Sequence, residues 1–141
     1  MDQRITLITL GVRDLPASRR FYEALGWTRS VAKAEGVAFY QAGAVVLALY
    51  PAADLARDSG IPLATGGTPR MSLALNLRSA DEVDTALAEA ERAGATILKP
   101  GHKVFWGGYI AYFSDPDGFL WELAWNPGFA LLPDGTLRLP E

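Results

Sequence analysis

Two parts of this chain repeat the same order of secondary-structure signals, and this internal repeat constrains the fold more than any other feature. Each part begins with an alternating apolar strand, continues with an amphipathic helix that ends at a glycine, and closes with three further strand-like segments. The residues Leu10–Arg13 align with Leu75–Arg78, and Gly26–Thr28 aligns with Gly94–Thr96. Such a duplication predicts two β-α-β-β-β modules of one design, and therefore an α+β fold.

The 141 residues suit one compact domain in which the two modules share a core. We expect the first module at residues 4–50, the second at residues 70–126 and a C-terminal surface arm at residues 127–141. Residues 51–69 contain several prolines and glycines, which predicts a linker with a short helix near Ala52–Arg57. The alternative for this segment is a lid over a pocket.

Local signals set the ends of both helices. Pro16 is a favourable first helical residue, and Gly26 is expected to end that helix. In the second module, Ser79 and Glu82 have the spacing of a capping box, and Gly94 ends the helix that follows.

A hairpin is predicted at residues 107–127, where a tight acidic turn separates two strands. The turn, Asp115–Gly118, combines proline, which presets φ, with glycine, which adopts a left-handed conformation without steric cost. The second strand carries Glu122 among apolar and aromatic residues. A carboxylate in such surroundings requires a ligand, a partner or a pocket.

The same hairpin carries a family resemblance. Its FxDPDGxxxE run and the segment Leu10–Trp27, LGVRDLPASRRFYEALGW, resemble the vicinal oxygen chelate superfamily. That superfamily comprises glyoxalase I, extradiol dioxygenases, fosfomycin resistance enzymes and bleomycin-binding proteins. The resemblance implies that the sheets of the two modules form an incomplete barrel around a cleft, and that the protein is a homodimer.

The resemblance also locates the positions at which metal-binding members hold their ligands, which are Leu7, Ala48, Ser72 and Glu122 here. Leucine and alanine have no donor atom, and a neutral serine hydroxyl is a poor ligand for a divalent metal. The chain contains one histidine, so a site with two histidines is impossible. We therefore expect no tightly bound catalytic metal and no cofactor.

Two residues are candidates for catalysis. Glu122 either pairs with an arginine or a tyrosine hydroxyl as a structural group, or accepts a proton or binds a polar group of a ligand. His102, which we place at the edge between a loop and a strand, is either a hydrogen-bonded surface histidine or a general acid or base.

Seven residues are candidates for ligand binding. Strand alternation places four of them on the face of Leu7 and Ala48, while the other three belong to a segment rich in aromatic residues. The same alternation assigns Trp121, Leu123 and Trp125 to the core. The candidates are Thr9, Tyr50, Ser72, Asn76, Trp106, Tyr109 and Tyr112.

Composition narrows the class of partner. A net charge of -3 with interspersed signs lacks the basic stripe of a nucleic-acid surface, and the absence of cysteine excludes disulfides and thiolate chemistry. No apolar run approaches the roughly 20 residues of a membrane span, and no signal-peptide pattern is present, so we expect a cytoplasmic protein. Small molecules are the expected partners.

The function most consistent with these residues is metal-independent binding of a small, partly aromatic or apolar molecule, as in bleomycin resistance proteins. One alternative is a metal-dependent enzyme, similar to lactoylglutathione lyase or a dioxygenase, with Glu122 as one ligand. A second alternative is a protein-interaction module that uses the same face.

Overall fold

The computed structural model describes residues 3, 5–63 and 71–139. The chain divides into two compact units, Met1–Gly67 and Thr68–Glu141, which correspond to the two halves of the repeat. Residues 64–70, at the end of the predicted linker, lie outside the described residues. Within the described ranges, every helix is too short or too polar to cross a membrane.

The first unit contains a four-stranded sheet of order β1-β4-β3-β2, in which β1 and β4 are parallel and the other pairs are antiparallel. Its elements are β1 (Leu7–Val12), α1 (Leu15–Ala24), β2 (Arg29–Ser30), β3 (Ala38–Ala42), β4 (Val45–Pro51) and α2 (Ala52–Ser59).

Helix α1 begins where Asp14 caps it, since the Asp14 side chain accepts a hydrogen bond from the backbone of Ala17. Pro16 lies within the first turn, where its missing N–H costs nothing. The buried face of α1 carries Phe21 and Tyr22, and the Tyr22 ring lies 6.0 Å from that of Tyr40 on β3. This contact defines the helix-facing side of the first sheet.

Helix α2 occupies the segment predicted as a linker and extends the expected short helix to Ser59. It packs against the opposite side of the first sheet, because a Cβ at Gly11 would lie 3.1 Å from Cδ2 of Leu55. The Tyr50 hydroxyl also donates a hydrogen bond of 2.9 Å to Asp58 of this helix. The segment is therefore folded onto its own unit as far as Ser59.

The second unit repeats the plan with a sheet of order β5-β8-β7-β6, in which β5 and β8 are the parallel pair. Its elements are β5 (Ser72–Asn76), α3 (Ala80–Ala93), β6 (Thr96–Lys103), β7 (Tyr109–Ser114), β8 (Leu120–Trp125), β9 (Ala130–Leu131) and β10 (Leu137–Arg138).

Helix α3 packs on one side of this sheet. Its residue Val83 is fully buried, and Trp121 and Leu123 of β8 are also buried, as their strand position predicts. The ring of Phe113 stacks on Trp121 with centroids 6.0 Å apart. The other side of the sheet is left for the residues that alternate with these.

The C-terminal segment, which was predicted as a surface arm, contains two short strands. Strands β9 and β10 form an antiparallel hairpin around a turn in which the Asp134 side chain accepts a hydrogen bond from the backbone of Thr136. The Arg78 guanidinium donates hydrogen bonds to the carbonyl oxygens of Leu131 and Leu132, at 3.1 and 2.6 Å. The hairpin is thus attached to the second unit by a side chain that precedes α3.

The repeat predicted from sequence is confirmed, since both sheets have the same strand order and the same single parallel pair. The fold is α+β, with two four-stranded mixed sheets that do not close. The cleft that the resemblance implies depends on the placement of one unit against the other and stays a prediction.

Candidate functional site

The candidate site is built on the side of the second sheet that faces away from α3. In the parallel pair of β5 and β8, Ala74 lies opposite Glu122, and in the antiparallel pair of β7 and β8, Tyr112 lies opposite Glu122. Residues two positions apart on a strand share a face, so Ser72 and Asn76 belong to the same side as Ala74. We call these five residues, Ser72, Ala74, Asn76, Tyr112 and Glu122, the Glu122 face.

A short hydrogen bond joins the two central residues of this face. The Tyr112 hydroxyl donates to Oε2 of Glu122 at 2.7 Å, and both side chains are half-buried. The hydrogen bond, together with burial and the carboxylate charge, raises the pKa of Tyr112 to about 12. Tyr112 is therefore a fixed donor at neutral pH, and it holds one oxygen of Glu122 in place.

The second oxygen of Glu122, Oε1, has no hydrogen-bond partner among the described residues, and no described cation forms an ion pair with this carboxylate. Ala74 and Ser72 beside it are small and exposed, so they leave the carboxylate accessible. The arrangement offers one preoriented acceptor oxygen to a molecule that brings a hydrogen-bond donor.

His102 is the second-last residue of β6, beside the turn that carries Trp106, and this position agrees with the predicted edge between a loop and a strand. On β6, His102 is paired with Ile110 of β7. Glu122 is on β8, two strands away from His102, which corresponds to about 10 Å across the sheet. The His102 Nδ1 is 2.9 Å from the carbonyl oxygen of Pro100, and because a carbonyl can only accept, this nitrogen carries the proton. His102 is a hydrogen-bonded strand residue that does not touch Glu122.

Two of the aromatic candidates lie elsewhere in the second unit. The hydroxyl of Tyr109 donates to the carboxylate of Asp84 on α3, at 3.0 Å, so Tyr109 is on the helix-facing side. Trp106 is in the turn between β6 and β7, and its ring covers the backbone of Gly108, where any Cβ would overlap it. The structure therefore brings Tyr112 together with Glu122, but not Tyr109 or Trp106.

Thr9 and Tyr50 belong to the first unit. Their strand register places them on the same side of their sheet as Leu7 and Ala48, as alternation predicts. Helix α2 packs on the end of this side that carries Tyr50, and the Tyr50 hydroxyl is engaged by Asp58. Burial and this hydrogen bond raise the pKa of Tyr50, with the hydrogen bond as the larger cause. Thr9 is half-buried beside Ala48.

The donor atoms at the four expected metal positions do not fit a divalent metal. Ala48 occupies in the first sheet the register position that Glu122 occupies in the second, since each lies opposite the equivalent residue of the parallel strand. Leu7 and Ala48 offer no donor, and Ser72 offers a neutral hydroxyl. Across the part of the chain that the structure describes, no three histidine, aspartate or glutamate side chains are grouped to hold a metal ion.

Sequence analysis missed one region of the second unit, a cavity of about 180 Å³ at the end of β8. It is lined by Arg78 and by Trp125, which had been assigned to the core. A smaller cavity of about 120 Å³ is also lined by Trp125, together with Lys103 and Tyr109. The position of Trp125 as the last residue of β8 is the signal that could have separated it from the core residues of that strand.

Comparisons with known proteins agree with this fold. Residues 4–123 match the Glyoxalase/Bleomycin resistance protein/Dioxygenase superfamily. A crystal structure of a glyoxalase-related enzyme from Fulvimarina pelagi is 36% identical, with a TM-score of 0.89, over 99% of this chain and 100% of that chain. A glyoxalase/bleomycin resistance protein/dioxygenase from Nocardioides is 31% identical, with a TM-score of 0.74, over 89% and 84% of the two chains.

A more distant structure shows similarity of fold alone. Lactoylglutathione lyase from Agrobacterium tumefaciens is 21% identical, with a TM-score of 0.67, over 89% of this chain and 96% of that chain. The comparison with curated proteins found no match.

Proposed function

Because the chain belongs to the Glyoxalase/Bleomycin resistance protein/Dioxygenase superfamily, we propose that it binds a small, partly aromatic or apolar molecule at the Glu122 face without the help of a metal. The observation that carries this proposal is the hydrogen bond of 2.7 Å between Tyr112 and Glu122. It fixes a half-buried carboxylate on a sheet face and leaves one of its oxygens for a ligand.

The chemistry of the face defines the ligand. A carboxylate with one free oxygen recognises a hydroxyl or amine, because a hydrogen bond to a charged acceptor is roughly twice as strong as one between neutral groups. Ser72 and Asn76 flank Ala74 on β5 and add a hydroxyl and an amide. The apolar body of the ligand is accommodated by the small side chain of Ala74, which projects little above the strand.

A second candidate function is that of an enzyme, and one observation favours it. The Fulvimarina pelagi protein, which is 36% identical over nearly the whole chain, is described as a glyoxalase-related enzyme. The donor set of the present chain argues against metal-dependent chemistry of that kind, since Glu122 is the only ionisable ligand at the four superfamily positions.

The decisive experiment combines metal analysis with ligand screening. The purified protein is analysed for bound metals and then screened in thermal-shift assays with phenol and aniline, which carry a donor, and with anisole, which does not. We expect stabilisation by phenol or aniline in the presence of EDTA, and none by anisole. Stoichiometric metal together with metal-dependent stabilisation would contradict the proposal and favour the enzyme.

A pair of variants tests the site itself. Glu122→Gln removes the charge but keeps an oxygen that can accept from Tyr112, so we expect about a tenfold loss of phenol affinity and little change in the melting temperature of the free protein. Glu89→Gln, on the exposed side of α3, is the matched control and should bind as the unmodified protein does. Unchanged affinity in Glu122→Gln would refute the assignment of the site.

A further inference from the structure

The second unit contains another candidate site, on the other side of its sheet from the Glu122 face. Trp125 lies opposite Tyr109 in the antiparallel pair of β7 and β8, and Tyr109 reaches α3, so Trp125 is on the helix-facing side. The cavity of about 180 Å³ forms here, where β5 leads into α3 and β8 leads into the turn before β9. The residues that line it are Leu77, Arg78, Trp125, Asn126, Pro127, Phe129 and Leu131.

Arg78 supplies a positive charge whose hydrogen-bond partners are uncharged. Its Nη1 and Nη2 donate to the backbone oxygens of Leu131 and Leu132, which are neutral acceptors. A guanidinium has five N–H donors, so these two bonds fix its position and leave others for a ligand. Among the described residues, Arg78 forms no ion pair.

Two carboxylates lie near Arg78, and both are engaged by backbone groups. Glu82 accepts a hydrogen bond from the backbone N–H of Arg78 at 2.8 Å. Asp134 accepts one from Thr136, which is the main cause of its lowered pKa, while the charge of Arg78 is the smallest contribution. Neither carboxylate lines the cavity.

Aromatic and aliphatic residues form most of the rest of the lining, and Asn126 adds a polar side chain whose amide oxygen accepts a hydrogen bond from the backbone N–H of Gly128. Trp125 and Phe129 contribute rings, Leu77 and Leu131 contribute aliphatic side chains, and Phe129 is 38% exposed. An apolar cavity of about 150 Å³ is known to accept benzene, so the present cavity has the volume for one six-membered ring with a small substituent. A ring beside a fixed guanidinium matches a ligand that carries a carboxylate.

We propose that this cavity binds a monocyclic aromatic carboxylate, with the carboxylate on Arg78 and the ring against Trp125 and Phe129. The site is independent of the function proposed for the Glu122 face, because the two lie on opposite sides of the sheet. Loss of one kind of binding therefore leaves the other unchanged.

The test uses benzoate as the probe and the full chain labelled with 5-fluorotryptophan. The four tryptophans give four fluorine signals, and Trp125→Phe identifies that of Trp125. We expect benzoate to shift the Trp125 signal saturably at about millimolar concentration, and benzyl alcohol, which has the ring without the charge, to bind at least about tenfold more weakly. The comparison of benzoate with benzyl alcohol leaves Arg78 and the rest of the cavity unsubstituted.

Variants of two equivalent arginines complete the test. Arg78→Gln should weaken benzoate binding at least about tenfold, while Arg13→Gln, the aligned position of the first repeat, should leave it unchanged. Unshifted Trp27 and Trp121 signals show that Arg78→Gln is folded. A Trp125 signal that does not move up to about 20 mM benzoate, that moves without saturating, or that responds equally to benzyl alcohol overturns the proposal.

Discussion

At the scale of single residues, the central feature is the pairing of Tyr112 with Glu122. Both residues were predicted site residues, and a tyrosine hydroxyl was one of the two partners expected for Glu122. The register of β7 and β8 places them directly opposite each other, which brings the hydroxyl within 2.7 Å of the carboxylate. Alternation along a strand identifies the face of each residue, but only the register identifies the partner.

The raised pKa of Tyr112 gives a prediction for alkaline pH. Its pKa is about 12 in the folded protein and 10.0 without these interactions, so its contribution to stability is complete below pH 10 and disappears as the pH rises towards 12. Tyrosinate absorbance is measured against pH for the unmodified protein and for Tyr112→Phe. The difference in tyrosinate absorbance between the unmodified protein and Tyr112→Phe should develop well above pH 10. A difference that titrates near pH 10 would show that the hydrogen bond does not form.

The hydrogen bond between Tyr112 and Glu122 also contributes to the stability of the fold. Tyr112→Phe removes the donor from a half-buried carboxylate and should lower the free energy of unfolding by about 1 kcal/mol in chemical denaturation. Tyr109→Phe is the matched control on the same strand, because its hydroxyl bonds an exposed carboxylate of Asp84. The control should lose less stability than Tyr112→Phe, and the reverse order would contradict the structure.

At the scale of elements, the signals at the helix ends were sufficient to place α1 and α3. The Ser79 hydroxyl accepts from the backbone of Glu82 as the capping box predicts, but the Glu82 carboxylate bonds the backbone of Arg78 and not that of Ser79. Strands β9 and β10 were not predicted because two residues are too few to show a period, and Arg78 holds their hairpin through contacts remote in sequence.

The cap of α3 gives a prediction at this scale. Ser79→Ala leaves the N–H of Glu82 without its acceptor and should cost about 1 kcal/mol of unfolding free energy. Glu89→Ala, in the exposed middle of the same helix, should stay within about 0.5 kcal/mol of the unmodified protein. Both values come from urea denaturation. Equal effects of the two substitutions would mean that the cap does not stabilise α3.

At the scale of the whole molecule, the chain consists of two units with one topology, and each unit has buried residues of its own. Val12 belongs to the first unit and Val83 to the second, and each is at most 1% exposed. The homodimer and the cleft implied by the family resemblance remain predictions, and light scattering of the purified chain tests the first of them.

The energetic independence of the two units can be tested by a double-mutant cycle. Val12→Ala and Val83→Ala each remove two buried methyl groups and should each cost about 2 kcal/mol. Because the two valines belong to different units, the loss of unfolding free energy in the double variant should equal the sum of the losses in the single variants within about 0.5 kcal/mol. A larger deviation in urea denaturation would indicate that the two cores act as one.

The sequence by itself determined the repeat, the α+β class, the helix ends and the carboxylate at position 122, because these depend on periodicity and on contacts between near neighbours. Tertiary structure decided which residues meet. Strand register joined Tyr112 to Glu122, the packing of α3 brought Asp84 to Tyr109, and Arg78 reached a hairpin more than fifty positions later in the chain. Such contacts depend on how strands distant in sequence pair, and local propensity carries no information about that pairing.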